Sequence, residues 1–149
     1  MDLKAQLLKS CQNQVDSRFL KIKQTILDIE EALFEESKSS SGDKHETGRA
    51  MLQIDRENAG RQLQEIEKLS AILGRIDIKS TSDYVRLGSL VYTDKHIYFI
   101  SLSIGAVTIE GVQYFCVAIN SPVGSLIVGK RKGESFSMNG NIQTIVEVK

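Results

Sequence analysis

Within the first half of the chain stands Ser37-Lys38-Ser39-Ser40-Ser41-Gly42-Asp43-Lys44-His45-Glu46-Thr47-Gly48-Arg49. It holds four serines and two glycines, and nothing in it is more apolar than Thr47. Serine competes for backbone hydrogen bonds inside a helix and glycine costs backbone entropy there. The run Ser39-Ser40-Ser41-Gly42 is therefore expected to turn the chain. Long helix-forming segments flank it, so the expected unit is an antiparallel helical hairpin. Its tip, residues 42–47, carries two carboxylates three residues apart, Asp43 and Glu46.

Before the turn, Leu8, Cys11, Val15, Phe19, Ile22, Ile26, Ile29 and Leu33 follow one another in steps of three and four. That spacing makes the narrow apolar seam of a coiled coil, out of phase once near Phe19. Neither glycine nor proline interrupts residues 1–36. A helix of that length would run to roughly 50 Å at 1.5 Å per residue. The second helix is expected from near Thr47 to about Leu73. Its seam (Leu52, Ala59, Leu63, Ile66, Leu69 or Ser70, and Leu73) turns polar toward the tip, where Asp55 and Arg56 stand. The hairpin is thus expected to be loosest at its tip and anchored at its base. Gly74 is a plausible helix stop, and Ser80 to Asp83 are loop formers. The expected domains are a hairpin over 1–75 and a second domain over 84–149, joined by a linker over 76–83.

Beyond Leu87 the pattern changes to short β-branched and aromatic runs: Leu90 to Tyr92, Ile97 to Ile100, Ala106 to Ile109 and Tyr114 to Ile119. Ser121 followed by Pro122, the only proline, reads as an N-cap and first helical residue, and Gly129 closes that short helix. Ser135 to Met138 and Ile142 to Val148 flank Asn139-Gly140, a hairpin turn pair. The fold class expected is α+β: an N-terminal antiparallel coiled-coil hairpin, then a small, mostly antiparallel β domain with one short helix.

Composition narrows the function classes. Lys plus Arg and Asp plus Glu both number 19, so no bulk positive field holds the chain on nucleic acid. Aromatics make up 6% and Trp is absent, which argues against a base-stacking platform. No apolar run reaches the roughly 18 residues of a membrane span. The first residues show no signal-peptide pattern, so a cytoplasmic protein is expected. Cys11 and Cys116 fall in regions read as different domains, and two reduced thiols are expected rather than a disulfide. His45 and His96, the only histidines, have no partner at ligand spacing.

Two stretches give the chain a resemblance to the Gre family of bacterial transcript-cleavage factors. Gly42-Asp43-Lys44-His45-Glu46 resembles the family's tip, in which Gly-Asp is followed by Glu three residues after the Asp. Ser121-Pro122-Val123-Gly124-Ser125-Leu126-Ile127-Val128-Gly129-Lys130-Arg131-Lys132-Gly133-Glu134 is similar to the family's Ser-Pro-helix-Gly-Lys-x-x-Gly-acid stretch. The resemblance implies a C-terminal domain of FKBP-like fold that docks on RNA polymerase. It also implies a hairpin that enters the polymerase's secondary channel. Asp43 would contact a magnesium ion shared with the polymerase, and Glu46 would assist the ion or the attacking water. The reaction, hydrolysis of the 3′ end of backtracked RNA, would belong to the polymerase. The chain would be no enzyme in itself, would carry no cofactor of its own and would act as a monomer, with at most indirect contact to nascent RNA. Ser121, Pro122, Gly129 and Lys130 would be the partner-binding residues.

The tip departs from the family pattern. Thr47, Gly48 and Arg49 stand where the family has Asn and a further acidic residue, and Lys44 and His45 separate the carboxylates. A less acidic tip leaves open a second reading, a channel-occupying regulator without cleavage activity. A third is a coiled-coil interaction protein with a peptide-binding or isomerase head. Glu35-Glu36, just before the turn, reads as a solvated helix end.

Overall fold

The computed structural model of the protein describes residues 2–38 and 42–149, with the backbone alone for 42–46. Its elements are α1 (Leu3–Lys38), α2 (Gly42–Gly74), β1 (Leu90–Thr93), β2 (Ile97–Ile100), β3 (Gly105–Ile109), β4 (Val112–Val117), α3 (Pro122–Ile127), β5 (Ser135–Met138) and β6 (Asn141–Val148). The fold is α+β. The chain divides into two compact units, Val15–Ser70 on the one hand and Met1–Gln14 with Ala71–Lys149 on the other.

Val15–Ser70 is the helical hairpin. Arg49 Nη1 donates to the Leu33 carbonyl at 3.3 Å, and Arg56 Nε to Glu30 Oε1 at 3.2 Å. Nearer the base, Arg18, Ile22 and Thr25 share a groove with Gln62, Ile66 and Leu69. Partners descend on one helix as they ascend on the other, so the pair is antiparallel. The expected seam supplies its interior, with Val15, Ile22 and Ile26 buried on α1 and Ala59 and Ile66 on α2. Toward the tip Ile29 and Leu33 are only half-buried, and arginines of α2 span the gap by polar contacts. These contacts stand where the sequence makes the seam of α2 polar. Two details differ. α2 starts at Gly42, five residues before Thr47. Also, the first turns of α1 bury Leu7 and Cys11, while Leu8 is half-exposed.

The other unit is built on a six-stranded sheet in the order β3-β4-β2-β1-β6-β5. Every neighbouring pair is antiparallel except β2 and β4, which run parallel with Phe99 opposite Cys116. The β5–β6 turn has Asn139 at φ 53° and Gly140 at φ 80°, the left-handed pair that a two-residue hairpin requires. Glu110 and Gly111 repeat it between β3 and β4, at φ 50° and 80°. One face of the sheet packs Val91, Tyr98, Ile100 and Ile145 against Val123 and Ile127 of α3, closed by Val85 and Phe136. Each such side chain contributes about 1.5–3 kcal/mol on full burial. Successive strand residues point to opposite faces, so Leu90, Phe99 and Cys116 line the other side, and they are buried as well. The first turns of α1 lie there. Leu3 lines a small cavity with Leu90 and Tyr92, and Cys11 Sγ sits 3.4 Å from Ser101 Oγ.

Cys11 and Cys116 were expected in different domains. They share this unit and this layer, because the heptad-like period of α1 continues past Val15 onto the sheet. Both are free and buried.

Candidate functional site

Two regions carry the residues singled out in the sequence. At the hairpin's closed end, α1 finishes at Lys38 and α2 begins at Gly42. The backbone of residues 43 and 46 belongs to the first turns of α2, while the side chains of Asp43 and Glu46 lie outside the described residues. The described residues at this end make local contacts. Ser37 Oγ donates to the Phe34 carbonyl at 2.7 Å, and Lys38 Nζ stands 4.3 Å above the Phe34 ring. Glu35 and Lys38 approach to 4.0 Å as an exposed pair. Gly48 lies against the Glu36 carboxylate, where a Cβ would come within 3.4 Å of Oε1. Arg49 is anchored to α1 through the Leu33 carbonyl. Among the described residues, no group of three or more His, Cys, Asp or Glu is arranged to hold a metal ion.

The second region is the α3 segment. Ser121 is its N-cap: Oγ accepts from the Gly124 amide at 3.0 Å and donates to the Ala118 carbonyl at 2.6 Å. Pro122 follows as the first helical residue, where its missing amide hydrogen costs nothing. The cap draws α3 so close to the preceding chain that a Cβ on Gly124 would collide with the Ala118 carbonyl oxygen. Gly129, at φ 83°, ends the helix in the left-handed region. The chain then stitches itself to Val85, with Gly129 N to Val85 O at 2.7 Å and Val85 N to Lys130 O at 2.8 Å. The four residues thus divide by role. Ser121 and Gly129 shape the segment, whereas Pro122 is exposed and the Lys130 side chain is half-exposed beside them.

Sequence reasoning missed the company these residues keep. Burying Val123 and Ile127 turns Leu126 outward, and Leu126, Val128 and Ile119 are exposed apolar residues in and beside the helix. Next to it, the Arg131 and Arg86 guanidinium carbons stand 5.6 and 6.0 Å from the Tyr84 ring centre, and Arg131 pairs with Asp83. The signal for Leu126 was present in the sequence. On a six-residue helix whose buried positions are Val123, Gly124 and Ile127, Leu126 falls on the opposite face.

No protein-family model matches the sequence, and no curated protein matches it. Among solved structures, that of the transcription factor Gfh1 matches over 91% of this chain and 91% of its own, at 16% identity and a TM-score of 0.35. At that score the likeness carries no argument about family or function. No described helix is long and apolar enough to cross a membrane.

Proposed function

We propose that this chain is a Gre-like transcription elongation factor of the cytoplasm. It binds RNA polymerase through its C-terminal domain, inserts the hairpin into the secondary channel as a monomer, and stimulates the polymerase's own cleavage of backtracked RNA. The observation that carries the reading is the antiparallel pairing of Leu33 with Arg49 and Glu30 with Arg56. It makes the Gly42–Glu46 backbone the closed end of a two-helix arm. Residues 15–38 of that arm alone span roughly 36 Å at 1.5 Å per residue. A thin arm of this length suits delivery of a carboxylate into a pore.

The donor set suits the metal the resemblance implies. Asp43 and Glu46 offer hard carboxylate oxygens, which magnesium prefers, and magnesium keeps several waters, so one or two added carboxylates are enough. When bound at the polymerase centre, the ion would be one of two that together stabilise charge on the attacking and leaving oxygens of the phosphodiester. Asp43 supplies the ligand. Glu46 holds the second ligand position or orients the attacking water.

The second reading, a channel occupant without cleavage, draws on Lys44 and His45 between the carboxylates and on Arg49 just after them. The two readings separate in one assay. Wild type, Asp43→Ala and Glu46→Ala are added to a backtracked elongation complex, and release of 3′ RNA is followed. Release with wild type but with neither variant, at equal polymerase binding, supports cleavage. Binding by all three without release supports the occupant. Absence of binding by wild type rejects both.

A further inference from the structure

Cys11 and Cys116 have no part in the proposed function, and the fold nonetheless brings them together from opposite ends of the chain. Cys116 lies on β4 opposite Phe99 of the parallel neighbour β2. Ser101, just past β2, donates its amide to the Val117 carbonyl at 2.8 Å, which holds its hydroxyl beside Cys116. Cys11 Sγ, from the first turns of α1, meets that hydroxyl at 3.4 Å. The neighbouring Cys116 thiol is the largest influence on the Cys11 thiol and brings it down to about 7. Burial opposes the shift, while Ser101 and the Leu102 backbone assist it. Cys116 is pushed up, by Cys11 first and then by its own burial. Two thiols make half of a structural zinc site, but among the described residues no third His, Cys, Asp or Glu joins them. Thiol–disulfide chemistry is what the pair can do.

We propose that Cys11 and Cys116 form a reversible dithiol–disulfide pair that, when oxidised by a low-molecular-weight disulfide, ties the first turns of α1 covalently to β4. Cys11, as thiolate, attacks one sulfur of the small disulfide. That S–S bond breaks, a mixed disulfide forms on Cys11, and one small thiolate leaves. Cys116 then gives up its proton and attacks Cys11 Sγ, expelling the second small thiolate. Two S–H bonds are lost and one S–S bond is gained, and the two electrons and two protons leave with the oxidant as two thiols. Both sulfurs are buried, so the reagent enters only when the root of α1 opens locally, and the oxidation rate follows that opening. The inference is independent of any polymerase.

The test uses the full chain equilibrated with oxidised and reduced glutathione over a range of ratios. Each sample is quenched with acid, alkylated in denaturant and analysed by mass. The expected result is a monomer that loses both free thiols together and two hydrogens in mass. It should yield a Cys11–Cys116 linked peptide that dithiothreitol releases. Cys116→Ala should instead accumulate a glutathione adduct on Cys11. Should that variant fail to fold, early quenching of wild type gives the same information, with the adduct on Cys11 and not on Cys116. Two free thiols at every ratio, or oxidation only into cross-linked dimers, would overturn the proposal.

Discussion

Arg56 reaches across from α2 and donates from Nε to Oε1 of Glu30 on α1 at 3.2 Å. Both side chains are substantially exposed, 39% and 52%. The pair marks the register of the hairpin but does little to hold it, since exposed ion pairs contribute about 0–1 kcal/mol. A double-mutant cycle of Arg56→Ala and Glu30→Ala, read by urea unfolding, is therefore expected to give a coupling below about 1 kcal/mol. Ile22→Ala, in the buried seam, is expected to cost about 2–5 kcal/mol. A coupling larger than the Ile22 cost would mean that the arm is held by charge.

Gly124 has no room for a side chain. A Cβ there would fall on the Ala118 carbonyl oxygen and 2.8 Å from that of Ile119, both of them backbone. Gly124→Ala must displace α3 or the turn before it, at about 1–3 kcal/mol or more. Gly129→Ala, where the chain has φ 83° and open space, should lose only the left-handed preference, about 1–2 kcal/mol. Thermal unfolding of both variants checks the order, and Gly129→Ala proving the more damaging would contradict it.

Much of this was legible in the sequence, because the signals are local. The steps of three and four from Cys11 to Leu33, the Ser121-Pro122 start, the Gly129 stop and the Asn139-Gly140 turn each act within a few residues. What was not legible is what each apolar stripe faces. Leu7 and Cys11 continue the helical period of Val15 and Ile22, yet they serve a sheet whose Ser101 and Cys116 lie far along the chain. Periodicity gives the face of a helix and leaves its partner open. The parallel pairing of β2 with β4 escaped for the same reason, since β3 intervenes in sequence and takes the sheet's edge. At the candidate site, the cap geometry of Ser121 was readable, but the exposed Ile119, Leu126 and Val128 around it were not singled out.

Ser121 and Lys130 should separate fold from docking. Ser121→Ala removes an N-cap and is expected to cost about 0.5–2 kcal/mol. The backbone of Lys130 makes the contacts to Val85 and Ile127, and its side chain is half-exposed, so Lys130→Glu should change stability by less than about 0.5 kcal/mol. Under the proposed function, Lys130→Glu weakens polymerase binding all the same. Unfolding curves paired with a polymerase competition assay check both, and unchanged binding by Lys130→Glu would remove that residue from the docking surface.

Lys4 gives the protein a pH signature. Only 7% of it is exposed, and its Nζ donates at 3.5 Å to the Ser80 carbonyl. Burial is the largest influence and lowers its pKa, against the opposing pull of Asp2. Between the lowered folded value and the ordinary 10.5, the unfolded chain binds more protons than the folded one. Stability therefore gains from this group as pH rises through that window. Lys4→Met should raise the melting temperature at pH 7, with the gain shrinking as pH approaches 10.5. A gain that grows with pH would reverse the sign.

If the hairpin's tip supplies a carboxylate to the polymerase's metal, it must change the magnesium dependence of transcript cleavage. Release of 3′ RNA from a backtracked complex is measured across a magnesium titration with no factor, with wild type and with Asp43→Ala. Wild type is expected to lower the magnesium concentration needed for half-maximal cleavage, while Asp43→Ala, bound equally well, leaves it where it stands without factor. A wild-type protein that binds and does not move the curve, or an Asp43→Ala variant that moves it as far as wild type, would show that the tip supplies no ligand to the ion.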